Sequence, residues 1–411
     1  MRGAGDQFSV GERIAFFRVR KGLTQSVLAG LVGRSEDWLS KIERGEREIR
    51  RLDVLTQVAQ ALRVTLGDLL GQPVLVEDQQ DPQGDDVPAI RDALMSPRRL
   101  SRVLFGQPTG ISVRPGQVAT LVEHAWDDYQ RGMLGRVIGS LPGLIESAQQ
   151  LEDAASGKAE DRPSWAVSAR VHHLAATTLA KVGESDLAWL AAERAMHAAD
   201  QADDPLVLAS AARAGAHALL SVGRYEDALE LGMTAADWLR AQISDSDPAA
   251  LSLAGMLHLR TAVASARKQD RGTATELLQR ASGLADELGE DANYWQTGFG
   301  PTNVALHKFS AALDLGDVPY VVEHAPDVPV DHMPVERGVS HRIDLARALS
   351  YVARDEDALA ELLTAEQESP QLVRHSAAVR ETVRTMHRRA PVTAGSKSSP
   401  LLALAERCRA V

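Results

Sequence analysis

The chain has 411 residues, 44% of them hydrophobic, and a formal net charge of −11, so it is long enough for two or three domains. Aromatic residues make up only 4% while alanine is abundant, which favours packed helices over sheets. We expect neither a membrane span nor a secretion signal, because no apolar run approaches ~18 residues and the N-terminus lacks an apolar segment. The single cysteine, Cys408, excludes an internal disulfide framework and indicates an inert thiol in a reducing cytoplasm.

Residues 1–71 are predicted to be the first domain, and residues 9–71 within it predict five short helices around a helix-turn-helix. Ser9 and Glu12 have the spacing of a capping box. Thr24 and Ser35 are suitable N-caps for the second and third helices, and Gly33 supplies the turn between them. Apolar residues at helical spacing define one core: Leu28, Leu31, Leu39 and Ile42, then Leu52, Leu55, Val58, Ala59 and Leu62, and then Leu66, Leu69 and Leu70 in a fifth helix capped by Thr65 and Asp68.

Five features of this segment keep one spacing: Leu23-Thr24-Gln25, Leu28-Ala29, Gly33, Ile42-Glu43-Arg44-Gly45 and the closing Leu62-x-Val64-x-Leu66-x-Asp68-Leu69-Leu70. Together they resemble the Xre family, the phage-repressor-type helix-turn-helix. The resemblance covers about one sixth of the chain and implies a five-helix, lambda-repressor-like domain that binds double-stranded DNA. Its third helix, which runs from Ser35 to Arg44, would enter the major groove.

The resemblance also implies roles for individual residues. Gln25 would contact phosphate, and an ion pair between Arg18 and Glu43 would join the first and third helices. Glu36 and Asp37 depart from many relatives because they are acidic: they either accept from cytosine N4 or are solvated or paired inward. The predicted DNA-binding residues are Gln25, Arg34, Glu36, Asp37, Ser40, Lys41, Arg44, Arg47, Arg50 and Arg51, of which the last four arginines either contact phosphate or form a solvated face.

Charge divides the chain into two parts. Residues 1–70 hold 12 Lys and Arg against 9 Asp and Glu, whereas the remainder holds 33 against 47. A mildly basic head on an acidic body orients the molecule on DNA. Residues 72–115 are predicted to be a linker with a short helix, residues 116–389 a repeat domain for sensing and dimerisation, and residues 390–411 a flexible tail with one possible helix.

The repeat domain is predicted to be an α-solenoid of about six helix pairs. Loop-and-helix units recur every 38 to 48 residues, at LGRVIGSL, VGESDLAWL, VGRYEDALEL, KQDRGTATEL, LGDVPYVVEH and ARDEDALAEL. In the fullest copy, Gly223, Tyr225 and Ala228 keep the spacing of a tetratricopeptide (TPR) repeat, which makes the domain TPR-like. Stacked pairs form a curved solenoid with a concave groove.

The TPR register turns a polar and basic set of side chains toward that groove, which suits a peptide backbone, a carboxylate or another small anion. Alternatively, these groups pair with acids on neighbouring helices and bind nothing. Pro301 fits the first position of a helix that carries Asn303 and His307 on one face. The predicted ligand-binding residues are Arg170, His173, Thr177, Arg213, His217, Asn303, His307 and Ser310, with Lys181 and Ser210 beside them.

The sequence contains no phosphate-binding loop, no H-E-x-x-H and no C-x-x-C, so we expect no enzyme, no metal site and no cofactor. The two modules together resemble the TPR-containing helix-turn-helix regulators of high-GC Gram-positive bacteria and, more distantly, peptide-pheromone regulators. The resemblance implies a homodimeric, cytoplasmic transcription regulator whose DNA affinity is set by a peptide or small anionic effector in the groove. The alternative is control by a protein partner docking on the solenoid.

Overall fold

The structure is a computed structural model that describes residues 9–20, 23–47, 49, 52–62, 87–100, 104, 113–155, 158–244, 247–390 and 399–410. The described part is all-α, with a helix-turn-helix unit followed by a helical solenoid, as the sequence predicts. The chain divides into two compact units, residues 1–84 and 85–411. We refer to them as the head and the body.

The head contains four described helices: α1 (Val10–Arg20), α2 (Gln25–Leu31), α3 (Glu36–Glu43) and α4 (Leu52–Leu62). Their apolar faces form one core that includes Ile14, Leu28, Leu39, Ile42 and Val58. Leu31 was predicted to face this core but is exposed. The fifth helix expected over Thr65–Leu70 lies outside the described residues.

Local capping explains where these helices begin. Ser9 and Glu12 form the predicted reciprocal capping box, with bonds of 2.7 and 3.3 Å. Thr24 Oγ1 accepts from the backbone N–H of Val27, and Ser35 Oγ accepts from that of Trp38. Each cap satisfies a backbone donor that the first helical turn leaves free.

The body consists of helix pairs whose first members lie inside and whose second members lie outside. The inner helices are α6 (Pro115–Gln130), α8 (Arg162–Lys181), α10 (Pro205–Ser221), α12 (Pro248–Arg267), α14 (Pro301–Asp314) and α16 (Val335–Tyr351). The outer helices are α7 (Leu134–Ala154), α9 (Ser185–Ala202), α11 (Tyr225–Gln242), α13 (Arg271–Leu288), α15 (Val318–His324) and α17 (Asp355–Glu368). These are the six pairs that the repeat pattern predicts.

Each inner helix ends in the same way, with one residue in the left-handed backbone region. Four of these residues are glycines, three of them within the predicted repeat units, and their φ angles lie between 76° and 86°. Gln269 and Ala353 adopt the same conformation with φ of 64° and 60°, at a steric cost that glycine avoids. The six positions are Gly132, Gly183, Gly223, Gln269, Gly316 and Ala353.

The inner helices form a closed ring rather than an open groove. Each packs on the next, from α6 through α8, α10, α12 and α14 to α16, and α16 packs back on α6. Ser369 Oγ donates to the carbonyl of Gly132 at 2.7 Å and fastens the last pair to the first. The concave face predicted from the repeats therefore surrounds a central space.

Segments at both edges of the body belong to its core. The helix α5 (Val87–Leu94), which falls within the predicted linker, buries Ile90 and Leu94 against α7. The remaining helices are α18 (Pro370–His375), α19 (Ala377–Arg389) and α20 (Pro400–Arg407). Within the predicted flexible tail, α20 packs on α19 and Cys408 is fully buried, which raises the pKa of its thiol to about 11.

Among the described helices, α12 is long and apolar enough to cross a membrane, but 89% of its apolar window is buried inside the body. It is therefore a core helix of the body. Gly255 on this helix lets the Phe299 ring approach so closely that a Cβ would lie 2.0 Å from its Cζ. Phe299 belongs to residues 289–300, which connect α13 to α14 and which we call the strap.

Candidate functional site

The first candidate site is the exposed face of α3 in the head. Gly33, with φ of 64°, makes the turn that separates α2 from α3. Leu39 and Ile42 anchor the inner side of α3 in the head core, and Gly11 allows α1 to approach the backbone at Ile42 closely. The opposite side of α3 is thereby presented to solvent, as reading of a DNA groove requires.

The predicted pair between Arg18 and Glu43 is present and largely buried. Arg18 Nε lies 2.6 Å from Glu43 Oε1, and a second bond of 2.8 Å makes the pair bidentate. This bonding raises the pKa of Arg18 above its usual value. Gln25, predicted to contact phosphate, donates its Nε2 to Glu43 at 2.7 Å. Because an amide nitrogen carries two hydrogens, one remains for a phosphate.

The acidic and basic side chains of α3 pair with each other along its exposed face. Asp37 and Lys41 form an i,i+4 ion pair of 2.7 Å, which lowers the pKa of Asp37. Arg44 pairs with Glu46 at 2.8 Å, just beyond the helix. The rest of the predicted set is placed as follows: Arg34 lies over the Trp38 ring, Glu36 and Arg47 are exposed, Ser40 is half-buried, and Arg50 and Arg51 lie outside the described residues.

The second candidate site is a cavity at the centre of the ring. All six inner helices and the strap contribute side chains to its wall. In helix order these include Trp126 and Tyr129 (α6), His173 and Thr177 (α8), Arg213 and His217 (α10), Met256 and Arg260 (α12), Asn303 (α14), Glu336 and Arg337 (α16), and Gln296 of the strap. The cavity volume open to the centres of water molecules is ≈ 40 Å³. At roughly 10–15 Å³ for each water, this is room for about three.

Of the predicted ligand-binding residues, five line this cavity: His173, Thr177, Arg213, His217 and Asn303. Arg170 does not, because Glu123 and Gln296 bind its guanidinium and it stacks between the rings of Trp126 and Trp295. His307 is not part of the lining: its Nδ1 donates to the backbone carbonyl of Asn303, and its Nε2 accepts from Arg337. Ser310 is half-buried and does not line the cavity either. For Arg170, the alternative of internal pairing is the one that the structure shows.

The strap is held by donors that the sequence assigns to a ligand. Arg213 donates to the backbone carbonyls of Trp295 and Gln296, both at 3.3 Å. Asn303 Nδ2 donates to the carbonyls of Thr297 and Gly298, at 3.3 and 2.9 Å. Side chains predicted to grip a peptide backbone therefore grip one that belongs to the same chain.

Holding the strap in this form strains its backbone. Trp295 and Gln296 are consecutive and both adopt left-handed conformations, with φ of 54° and 51°. Such residues cost about 1–3 kcal/mol each and persist only where surrounding contacts enforce them. The bonds from Arg213 and Arg170 to this segment supply that enforcement.

Positive charge dominates the cavity wall. Arg213, Arg260 and Arg337 face one carboxylate, Glu336. Lys181 already pairs with that carboxylate at 2.5 Å, and Arg337 lies 3.4 Å from it. Burial lowers the pKa of Arg213 to about 9, and repulsion from Arg260 adds to the effect. Burial likewise lowers the pKa of Arg260 to about 10, and there the added repulsion comes from Arg337. Both side chains therefore remain cationic near neutral pH.

The histidines around the cavity are neutral. Burial lowers the pKa of His173, His217 and His307 well below the usual value. The next cause differs for each and is a cavity arginine: Arg213 for His173, Arg260 for His217 and Arg337 for His307. The arginines alone therefore carry the positive charge.

Sequence reasoning missed Arg260, Arg337, Glu336 and Gln296. Arg260 lies on the inner helix of the fourth pair, nine residues before the turn residue Gln269, whereas Arg213 lies ten residues before Gly223, so the register that identifies Arg213 does not select Arg260. Arg337 and Glu336 lie near the start of α16, and the strap carries Gln296, so only ring closure brings these three into the cavity.

Comparison with known proteins identifies the head. Residues 9–70 match a family model described as a helix-turn-helix domain. No curated protein matches the chain. Among solved structures, the crystal structure of Bacillus thuringiensis PlcR in complex with the peptide PapR7 and DNA aligns with 16% identity over 68% of this chain and 95% of that chain. The TM-score is 0.30, which is too low to support a statement about fold or function. The family match over residues 9–70 alone identifies the head as a helix-turn-helix DNA-binding domain.

Proposed function

We propose that the protein is a sequence-specific, DNA-binding transcription regulator of the Xre type whose DNA affinity is controlled by an effector bound in the central cavity of the body. The helix-turn-helix head carries the first part of this proposal, because α3 presents Lys41 and its neighbours to solvent on a rigid core. The cavity carries the second, because its excess of arginine favours an anionic ligand.

A homodimer belongs to this proposal. One small domain reads too few base pairs for specificity, so regulators of this type pair two half-sites. A monomer in sedimentation at micromolar concentration, with and without DNA, would contradict this part.

Control by a protein partner is the second candidate. The observation that favours it is the size of the cavity, since ≈ 40 Å³ admits a small anion and not a peptide while the strap is closed. Exposed aromatic side chains on the body, Trp189, Trp238 and Tyr351, would serve as contacts for such a partner.

The DNA-binding proposal is tested by selecting genomic fragments with the purified full-length protein and footprinting the bound site. Lys41→Ala should then change base preference at the positions that α3 reads, by about 1–3 kcal/mol for each lost contact. Gln25→Ala should weaken binding to all DNA sequences alike, because it removes a side-chain donor to the DNA phosphate backbone and a hydrogen bond to Glu43. Lys268→Ala, the same kind of change in the body, is the matched control and should leave both properties unchanged.

No protected site in the footprint would overturn the assignment as a sequence-specific regulator. Retained affinity and preference in both head variants at moderate salt would show that α3 is not the reading helix.

A further inference from the structure

The central cavity has more cationic donors than its own acceptors satisfy. Arg213 forms no ion pair with any described residue, and its two terminal nitrogens have only long contacts, 3.3 Å to two strap carbonyls and 3.4 Å to His173 Nε2. Arg260 lacks a carboxylate partner within the described part of the chain, and its Nε has no hydrogen-bond partner there. Such groups are costly to bury without an anion.

The same wall also presents one unpartnered acceptor. Asn303 is fully buried, and the two bonds from its Nδ2 to strap carbonyls fix the orientation of its amide. Its Oδ1 therefore faces the other way, and no described donor reaches it. A buried carbonyl oxygen of this kind calls for a donor that the chain itself does not supply.

We propose that this cavity is a binding site for a compact anion that carries its own hydrogen-bond donor, with Arg213, Arg260 and Arg337 holding the charge and Asn303 Oδ1 accepting the donor. Hydrogen phosphate and 2-hydroxy carboxylates have this chemistry. Sulfate and simple carboxylates lack the donor, and the Asn303 oxygen would repel them.

The size of the cavity agrees with this ligand class. A volume of ≈ 40 Å³ for water centres corresponds to about three waters, the space that a phosphate or a two-carbon hydroxy acid fills. A strong anion would also compete with the strap carbonyls for Arg213, because a charged acceptor bonds a guanidinium more strongly than a neutral one does. Binding would thereby loosen the strained segment at Trp295 and Gln296.

Only the effect of the anion on DNA binding rests on the proposed function; binding of the anion itself does not. The experiment therefore measures anion binding first, on the full-length protein at pH 7.5 and constant ionic strength. Calorimetry and thermal unfolding compare two matched pairs of probes, inorganic phosphate with sulfate and glycolate with acetate. We expect the donor-bearing member of at least one pair to bind about tenfold or more tightly than its partner. The pair that discriminates identifies the source of the anion.

Three variants connect the binding to the named residues. Arg260→Gln should abolish the anion-dependent rise in unfolding temperature, whereas Arg224→Gln, the same change at an exposed arginine paired with Asp227, should not. Asn303→Ala should make both members of each pair bind with equal affinity. The ratio of the two affinities can be measured even if the substitution weakens the strap. Fluorescence of Trp295 in the strap should change on binding.

The proposal is overturned if the members of each pair are indistinguishable in the parent protein, or if Arg260→Gln responds to the anion as the parent does. If the anion binds as expected but the protein selects no DNA, the site stands and the proposed function fails. If the protein selects DNA but no probe binds, the anion site fails and the assignment as a DNA-binding regulator stands.

Discussion

Ser369 donates a buried 2.7 Å hydrogen bond to the carbonyl of Gly132, a residue 237 positions earlier in the chain. The contact joins the end of the sixth helix pair to the turn of the first. It forms because Gly132 has no side chain: a Cβ there would lie 3.0 Å from the Ser369 Cβ and 3.2 Å from Val335. Closure of the ring at this contact converts the concave face into a cavity.

Closure at Gly132 can be separated from the backbone preference of glycine. Gly223 has nearly the same φ, 78° against 76°, but a Cβ there would meet nothing within 4 Å. Gly223→Ala should therefore lower the free energy of unfolding by about 1–2 kcal/mol through backbone strain alone. Gly132→Ala should cost about 1–3 kcal/mol more, because it also overpacks the closure. Equal losses in urea denaturation would show that the closure contact contributes nothing.

Ala353 carries the same left-handed conformation without the freedom of glycine. Its φ is 60°, so Ala353→Gly should raise the free energy of unfolding of the body by about 1 kcal/mol. Gln269→Gly should gain less, because Gln269 Nε2 donates to the carbonyl of Asp314 at 2.8 Å and that bond would be lost. Chemical denaturation of both variants beside the parent measures the two changes. A loss of stability in Ala353→Gly would contradict the strain argument.

The pair between Arg18 and Glu43 should hold the head together. Glu43 is only 5% exposed and accepts from both Arg18 and Gln25, so Glu43→Ala leaves two donors without a partner. Removal of one partner of a buried ion pair costs about 3–5 kcal/mol, and the head should unfold separately from the body. Hydrogen exchange of the amides in α1 and α3 measures this loss.

The matched control for Glu43 is Asp37→Ala. It breaks the exposed pair with Lys41 on the same helix and should leave exchange protection unchanged. Equal exchange in both variants would assign no special role to the buried pair.

The body should lose stability as the pH falls below the ordinary pKa of histidine. His173 and His307 are 2% and 3% exposed, and burial followed by repulsion from a cavity arginine lowers the pKa of each well below 6.5. In the unfolded chain both side chains take up protons near pH 6.5, whereas in the folded body these two do not. Stability is therefore fully present above pH 6.5 and declines below it, by about 1.4 kcal/mol per pH unit for each histidine.

Urea denaturation between pH 7.5 and 5.5 measures this decline. His173→Gln removes one of the neutral histidines and should reduce the slope against pH by about one proton. A slope equal to that of the parent would show that His173 becomes protonated in the folded body.

Features that depend on neighbours along the chain could be predicted from the amino-acid sequence. Helix starts at Thr24, Ser35 and Pro301 follow from caps and proline at the first turn, and these interactions span two to four residues. Four of the six inner-helix turns follow from a glycine at the turn, since left-handed backbone is nearly free only for that residue. The buried pair of Arg18 and Glu43 was predictable only because the head resembles a known family.

Which side chains share the cavity depends instead on long-range packing. A small rotation at each repeat, summed over six pairs, brings α16 against α6, and no short stretch of sequence contains that sum. Closure brings Glu336 and Arg337 into the same cavity as Arg213. Packing of the first two pairs and of the strap joins Arg170 to Glu123 and Gln296, which lie 47 and 126 residues away in the chain. Buried polar groups take whatever partner the packing brings within reach, so the long-range fold, and not the register of one helix, determines which donors and acceptors remain for a ligand.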